Sequence, residues 1–186
     1  MTALDNPDQR RIALLEAARE HCARQYDDFF RTFASLDSKA QSVATLAGVQ
    51  LAALLVFLRE GNLAVLRAGF GDVAAIVLAV TLVVLLLVIA AAVAAMKVTS
   101  LPTPYQAAEE AEAVASLIAL QGDELSDQVV VNHLSEHNEA WTSALVGIEL
   151  ATRRKARIVE ACQWTLLVGL VGSASVLYLL VLAAWP

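Results

Sequence analysis

Apolar residues gather along this chain in three blocks, Ala40 to Leu58, Val73 to Met96 and Cys162 to Trp185, set apart by charged stretches. The middle block runs 24 residues without a charge, and Thr81 is its one polar side chain. A helix needs ~20 predominantly apolar residues to cross a bilayer. At ~1.5 Å per residue the middle block reaches ~36 Å and the first ~28 Å, so both span hydrocarbon with modest tilt. Trp164 and Trp185 lie 21 residues apart in the third block, which places an indole near each interface of a ~30 Å core. Three transmembrane helices are predicted.

The charged stretches carry a different pattern. Ile12, Leu15, Cys22, Tyr26, Phe29, Phe33 and Leu36 alternate at three and four residues, interrupted only by Arg19, the mark of a narrow helix stripe that seeks a partner helix. No Pro or Gly separates this stripe from the first block. One helix is therefore predicted from Pro7 and Asp8, out of the aqueous phase near Lys39, to about Gly61. Gly61-Asn62 and Gly69-Phe70-Gly71 mark a short connection to the second block. After that block Pro102 and Pro104 break the helix. Thr103 as N-cap, Pro104 at the first helical position and Gln106 three residues after the cap predict a new helix, with its stop at Gln121-Gly122-Asp123. From Ser126 the pattern resumes: Leu134, Trp141, Leu145, Ile148 and Val159 keep the same spacing and run without a breaker into the third block.

The predicted fold is an all-α membrane protein, three transmembrane helices with long cytoplasmic helical extensions that form a small bundle. Its segments are an N-terminal helix over 1–39, spans over 40–58, 73–96 and 162–185, an external loop over 59–72 and a helical segment over 97–161. The two arms are thin, so burial of their stripes calls for a second copy of the chain, and a homo-oligomer is expected.

Composition bears on sidedness and on function. The 58% hydrophobic and 17% charged residues are two segregated populations, and neither charged stretch is large enough for a conventional enzyme domain. Of the 13 Lys and Arg, only Arg59 and Arg67 fall in the 59–72 loop. The positive-inside rule thus puts the N-terminus and the 97–161 segment in the cytoplasm and Pro186 on the far side of the inner membrane. The start of the chain, MTALDNPDQRR, lacks the apolar core and cleavage site of a signal peptide. Cys22 and Cys162 both fall on the reducing side, read as small apolar packing residues.

His133-Leu134-Ser135-Glu136-His137 fits H-x-x-E-H, the zinc-binding pattern of inverted metalloproteases. Such a site needs a third ligand on a neighbouring element and a cleft built from far more chain than the 49 residues that follow His137, so a solvated helix face is the favoured reading and no metal or cofactor is expected. His21 is isolated. The run Arg153, Arg154, Lys155 and Arg157 is read first as a topogenic and lipid-headgroup anchor, then as a contact for the phosphate of a soluble ligand. Nucleic acid is disfavoured, because the cytoplasmic segments carry more acidic than basic side chains. No phosphate-binding loop and no Ser/His/Asp arrangement is present, and the chain is read as non-enzymatic.

The stretch Leu36-Asp37-Ser38-Lys39-Ala40, followed by Ala44-Thr45-Leu46-Ala47-Gly48-Val49, stands where a cytoplasmic helix meets lipid, and Ala40, Ala44, Ala47 and Gly48 form a small-residue face suited to close helix contact. It resembles the A-D-x-K-A…L…G start of the first membrane helix in the Pycsar transmembrane effectors, small bacterial antiphage proteins. Residues 149–161, ELATRRKARIVEA, are similar to the lysine-containing helix those effectors place before their last span. Leu36 stands where the family has a small residue, and Ala47 where it often has Asn. The resemblance implies an inner-membrane effector that answers a cyclic pyrimidine nucleotide by impairing the membrane, ending infection with the death of the cell. Under it, Arg153, Arg154 or Lys155 would meet the nucleotide phosphate and Trp141 would stack on the base. The alternative is a membrane-anchored helical interaction module that recruits a cytoplasmic partner.

Overall fold

The structure, a computed structural model, describes residues 7–58, 63–97 and 127–184, together with positions 101, 103, 104, 112 and 115. Among these residues it is all-helical. Helix α1 spans Pro7–Phe57, α2 Leu63–Phe70, α3 Asp72–Met96 and α4 Asp127–Ala184. Three of them, α1, α3 and α4, are long and apolar enough to cross a membrane. As the missing breakers predicted, α1 and α4 each run from a charged stretch into an apolar block as one helix, 51 and 58 residues long. The helix predicted from Thr103 to Gln121-Gly122-Asp123, the connection at Gly61-Asn62 and the Trp185 marker lie outside the described residues, apart from Thr103, Pro104, Glu112 and Ala115, the last two of which are helical.

The 59–72 connection is more structured than a loop. Eight of its residues form α2, and Leu66 is fully buried in the core of the apolar unit with Phe70 packed against that core. Leu66 and Phe70 stand one helical turn apart, an apolar edge set between residues that composition alone reads as turn formers. Gly71 separates α2 from α3. Its φ of 61° lies in the left-handed region, and its N–H donates to the Arg67 carbonyl at 2.9 Å. Only a residue without Cβ takes that conformation at no steric cost.

The chain divides into two compact units, one of residues 1–33 and 99–153, the other of 34–98 and 154–186. In the first, the predicted α1 stripe is the inner face: Ile12, Leu15, Cys22, Tyr26 and Phe29 are half-buried, Phe33 is buried, and Arg19 is exposed. Val131, Leu134, Ala144 and Ile148 are the buried apolar residues of α4 in this unit. The Asn138 amide donates to the Leu15 carbonyl at 3.0 Å, and the Tyr26 and Trp141 rings meet edge to face with centroids 5.8 Å apart. Contacts that advance together along both helices mean that α1 and α4 run parallel in this unit.

The second unit is a three-helix arrangement closed at one end by α2. Its core takes Val43, Ala47 and Leu54 from α1, Ala74, Leu78, Leu85, Val88 and Ala92 from α3, and Cys162, Leu166 and Val176 from α4. Here too α1 and α4 run parallel, with Asp37 against Lys155 and Gln50 against Gly169 and Ser173. Helix α3 runs antiparallel between them: a Cβ on Gly172 would touch Thr81, and one on Gly169 would touch Leu85. Outside this core the surface is crowded with exposed Val, Leu and Ile, including Val73, Ile76, Val80, Val83, Leu86 and Leu87 of α3 alone. A contiguous apolar surface of that extent is unfavourable in water and is what hydrocarbon accepts.

Candidate functional site

The inner stripe of α4 continues the spacing of Ile148 through Thr152, Lys155, Val159 and Cys162, every one of them buried. A lysine on a buried stripe needs a counter-charge, and α1 supplies it. The Lys155 Nζ donates to Asp37 Oδ1 at 2.5 Å, with the lysine side chain 5% exposed and the aspartate 40%. Beside this pair, Leu36, Ala40, Ala95 and Val159 form a small apolar cluster that joins α1, α3 and α4. The pair thus closes the end of the apolar unit at which both charged stretches begin.

Deeper in the apolar unit lies a second polar layer. Gln50, on the inner stripe of α1, donates from Nε2 to the Gly169 carbonyl at 3.1 Å and to Ser173 Oγ at 2.6 Å. Ser173 donates in turn to the Gly169 carbonyl at 2.9 Å. The oxygen of the same amide, Gln50 Oε1, is buried without a partner among the described residues. On α3, Thr81 is buried and donates to the Val77 carbonyl at 2.8 Å. Replacing Gln50 by Leu is expected to change the unfolding free energy in mild detergent by less than about 1 kcal/mol. Two donated bonds are lost, but so is an unpaired acceptor, and side-chain hydrogen bonds between membrane helices average ~0.6 kcal/mol. Chemical unfolding followed by circular dichroism measures it.

The residues marked out by sequence fare differently. Arg153 is exposed and pairs with Glu149 one turn away at 2.5 Å on its own helix, Arg154 is exposed, and Lys155 is turned inward onto Asp37. Trp141 is half-buried against Tyr26. Trp141 and Arg153 belong to the first unit, Arg154 and Lys155 to the second. Burial raises the Tyr26 phenol above its ordinary value, with the Asp27 carboxylate adding to the effect. Gly48 is half-buried, and a Cβ there would meet nothing within 4 Å, so its small size is not used by the described part of this chain. Lys39 is exposed.

His133 and His137 stack with ring centroids 4.6 Å apart and planes tilted by 43°. Among the described residues no group of three His, Cys, Asp or Glu is placed to hold a metal ion. Cys22 and Cys162 are both free, and Cys162 is buried in the core. Sequence reasoning missed the Asp37–Lys155 pair and the Gln50 layer. The signal existed: the three-four spacing of the α4 stripe passes through Lys155 between Ile148 and Val159, and that of α1, carried four turns past Leu36, lands on Gln50.

No protein-family model, no curated protein and no solved structure matches this chain.

Proposed function

We propose that this chain is a non-enzymatic effector of the Pycsar kind in the bacterial inner membrane, with its N-terminus and its 97–161 segment in the cytoplasm and its C-terminus in the periplasm. A cyclic pyrimidine nucleotide received by the cytoplasmic helices shifts the membrane spans of a homo-oligomer, impairs the membrane and aborts infection. The observation that carries this reading is the Asp37–Lys155 pair. Its two residues come from the two separate stretches that resemble Pycsar effectors, and they meet as an ion pair whose lysine is buried. Unbroken α1 and α4 give the reading its mechanics, since a rotation or tilt imposed on a continuous helix in its charged part is passed to its apolar part. The nucleotide must bind one arrangement better than the other for this to happen. Exposed Arg153 and Arg154 are the phosphate contacts in this proposal and Trp141 the base contact, while Lys155 holds α1 to α4.

The test is expression with a neighbouring pyrimidine cyclase during phage infection. Membrane potential is expected to collapse only when the cyclase is active, and a potential that holds despite cyclase product refutes the proposal. A second reading, a membrane anchor that recruits a cytoplasmic partner, is favoured by the exposed Leu14, Phe30, Val146 and Leu150 of the first unit. It predicts a stoichiometric protein partner in affinity capture and liposomes that stay sealed with every cyclic nucleotide.

A further inference from the structure

Two grooves of about 440 Å³ each flank α4 in the second unit. One lies between α1 and α4, its lining running from Ser38, Lys39 and Ser42 to Leu46, Leu167 and Leu170. The other lies between α3 and α4, from Arg157 and Ile158 past Ala161 and Thr165, with Leu87 and Ala91 opposite. Their walls are more apolar than their residue types suggest. The Ser42 hydroxyl donates to the Ser38 carbonyl at 2.9 Å and that of Thr165 to the Ala161 carbonyl at 2.7 Å, so each is satisfied by its own helix.

Each groove holds one cation, and both cations sit at the same end. Lys39 follows Asp37 by two residues and Arg157 follows Lys155 by two, so the ion pair sets them at one height. Both are exposed, and neither has an ion-pair partner among the described residues. One helical stretch further along, Leu46 and Trp164 present exposed apolar surface. An apolar trough, level with a membrane-crossing segment and carrying one unpaired cation at its polar end, is complementary to one kind of molecule: an acyl chain ended by an anionic phosphodiester. A zwitterionic lipid brings its own ammonium to the same place and gains less.

We propose that the two grooves seat anionic phospholipids, with an acyl chain along each trough and the lipid phosphate held by Lys39 in one and by Arg157 in the other. Trp164 reports on both sites. It is exposed on α4 between Gln163, which lines the first groove, and Thr165, which lines the second. The experiment places the full chain, with Trp141 and Trp185 changed to Phe, in mixed vesicles and compares quenching of Trp164 by dibrominated phosphatidylglycerol and dibrominated phosphatidylcholine. Preferential quenching by the glycerol lipid is expected, equivalent to about fivefold enrichment per site. K39Q/R157Q should abolish the preference, and K39R/R157K, which keeps both charges, should retain it. Equal quenching in the starting protein, or a preference that survives K39Q/R157Q, overturns the proposal. Absence of quenching by either lipid also overturns it, since a second copy of the chain then covers the grooves. Phospholipid carried through purification of the unaltered chain in mild detergent is the independent measurement: enrichment in phosphatidylglycerol over the source membrane is expected, and a composition equal to that membrane refutes the sites.

Discussion

Asp37→Asn is expected to destabilise the protein by about 3 kcal/mol, and Lys155→Met by only about 1 kcal/mol, although each removes the same ion pair. The asymmetry comes from burial. With Asp37 neutralised, the Lys155 ammonium stays on a side chain that is 5% exposed and loses the carboxylate that faces it. With Lys155 removed, the Asp37 carboxylate, on a side chain 40% exposed, turns to water, and Met keeps the apolar volume of the lysine stem. D37N/K155M should therefore be more stable than D37N alone, because the second change removes the stranded charge. Thermal or chemical unfolding of the three variants in one mild detergent gives the comparison. If Asp37→Asn proves no worse than Lys155→Met, the lysine reaches water and the pair is not what holds α1 to α4.

Gly172→Ala should cost about 2 kcal/mol, the range expected for overpacking a close-packed contact. The added Cβ would stand 2.5 Å from Thr81 Oγ1 and 3.3 Å from its Cγ2. Thr81 has little room to yield: it is β-branched, buried, and bonded back to the Val77 carbonyl. Gly169→Ala is the control. Its Cβ would meet Leu85 Cδ2 at 2.9 Å, the far end of a flexible side chain, and alanine is favoured over glycine in a helix by about 1 kcal/mol, so the net change should be near zero. T81A/G172A should restore most of the stability lost by G172A, since Ala at position 81 vacates the space the new methyl needs. Unfolding midpoints of the three variants and the parent decide it, and a Gly172→Ala protein as stable as the parent would mean that α3 and α4 do not approach so closely.

The stripes of α1 and α4 are legible in the sequence because they carry contrast. Polar and charged residues separate the apolar positions, so spacing assigns Phe33 and Leu36 inward, while Arg19, which the same spacing puts on the stripe, is exposed. Helix α3 offers no such contrast. It is apolar all round, and its inner face of Ala74, Leu78, Thr81, Leu85, Val88, Ala92 and Ala95 emerges only from the packing of the three helices. Lipid is as apolar as leucine, so transfer out of water does not sort the residues of a span; close packing does, and it draws in small residues such as Ala92 while Ile76 and Leu86 stay outside. The 59–72 segment conceals its helix for the opposite reason: Gly and Arg mask the single pair, Leu66 and Phe70, that ties α2 to the core.

Three apolar helices, the unbroken extension of two of them into charged arms, and the inward face of each arm all follow from the amino-acid order. They depend on local spacing and on the length of uncharged runs, which need no knowledge of neighbours. Which side chains meet is a matter of tertiary structure alone. Asp37 and Lys155 are 118 residues apart, Gln50 and Ser173 are 123 apart, and nothing local to either member reveals its partner. Pairing depends on the register between two helices, which is set jointly by Gly169 and Gly172 against α3, by the three-helix core, and by the need of one buried ammonium for a carboxylate.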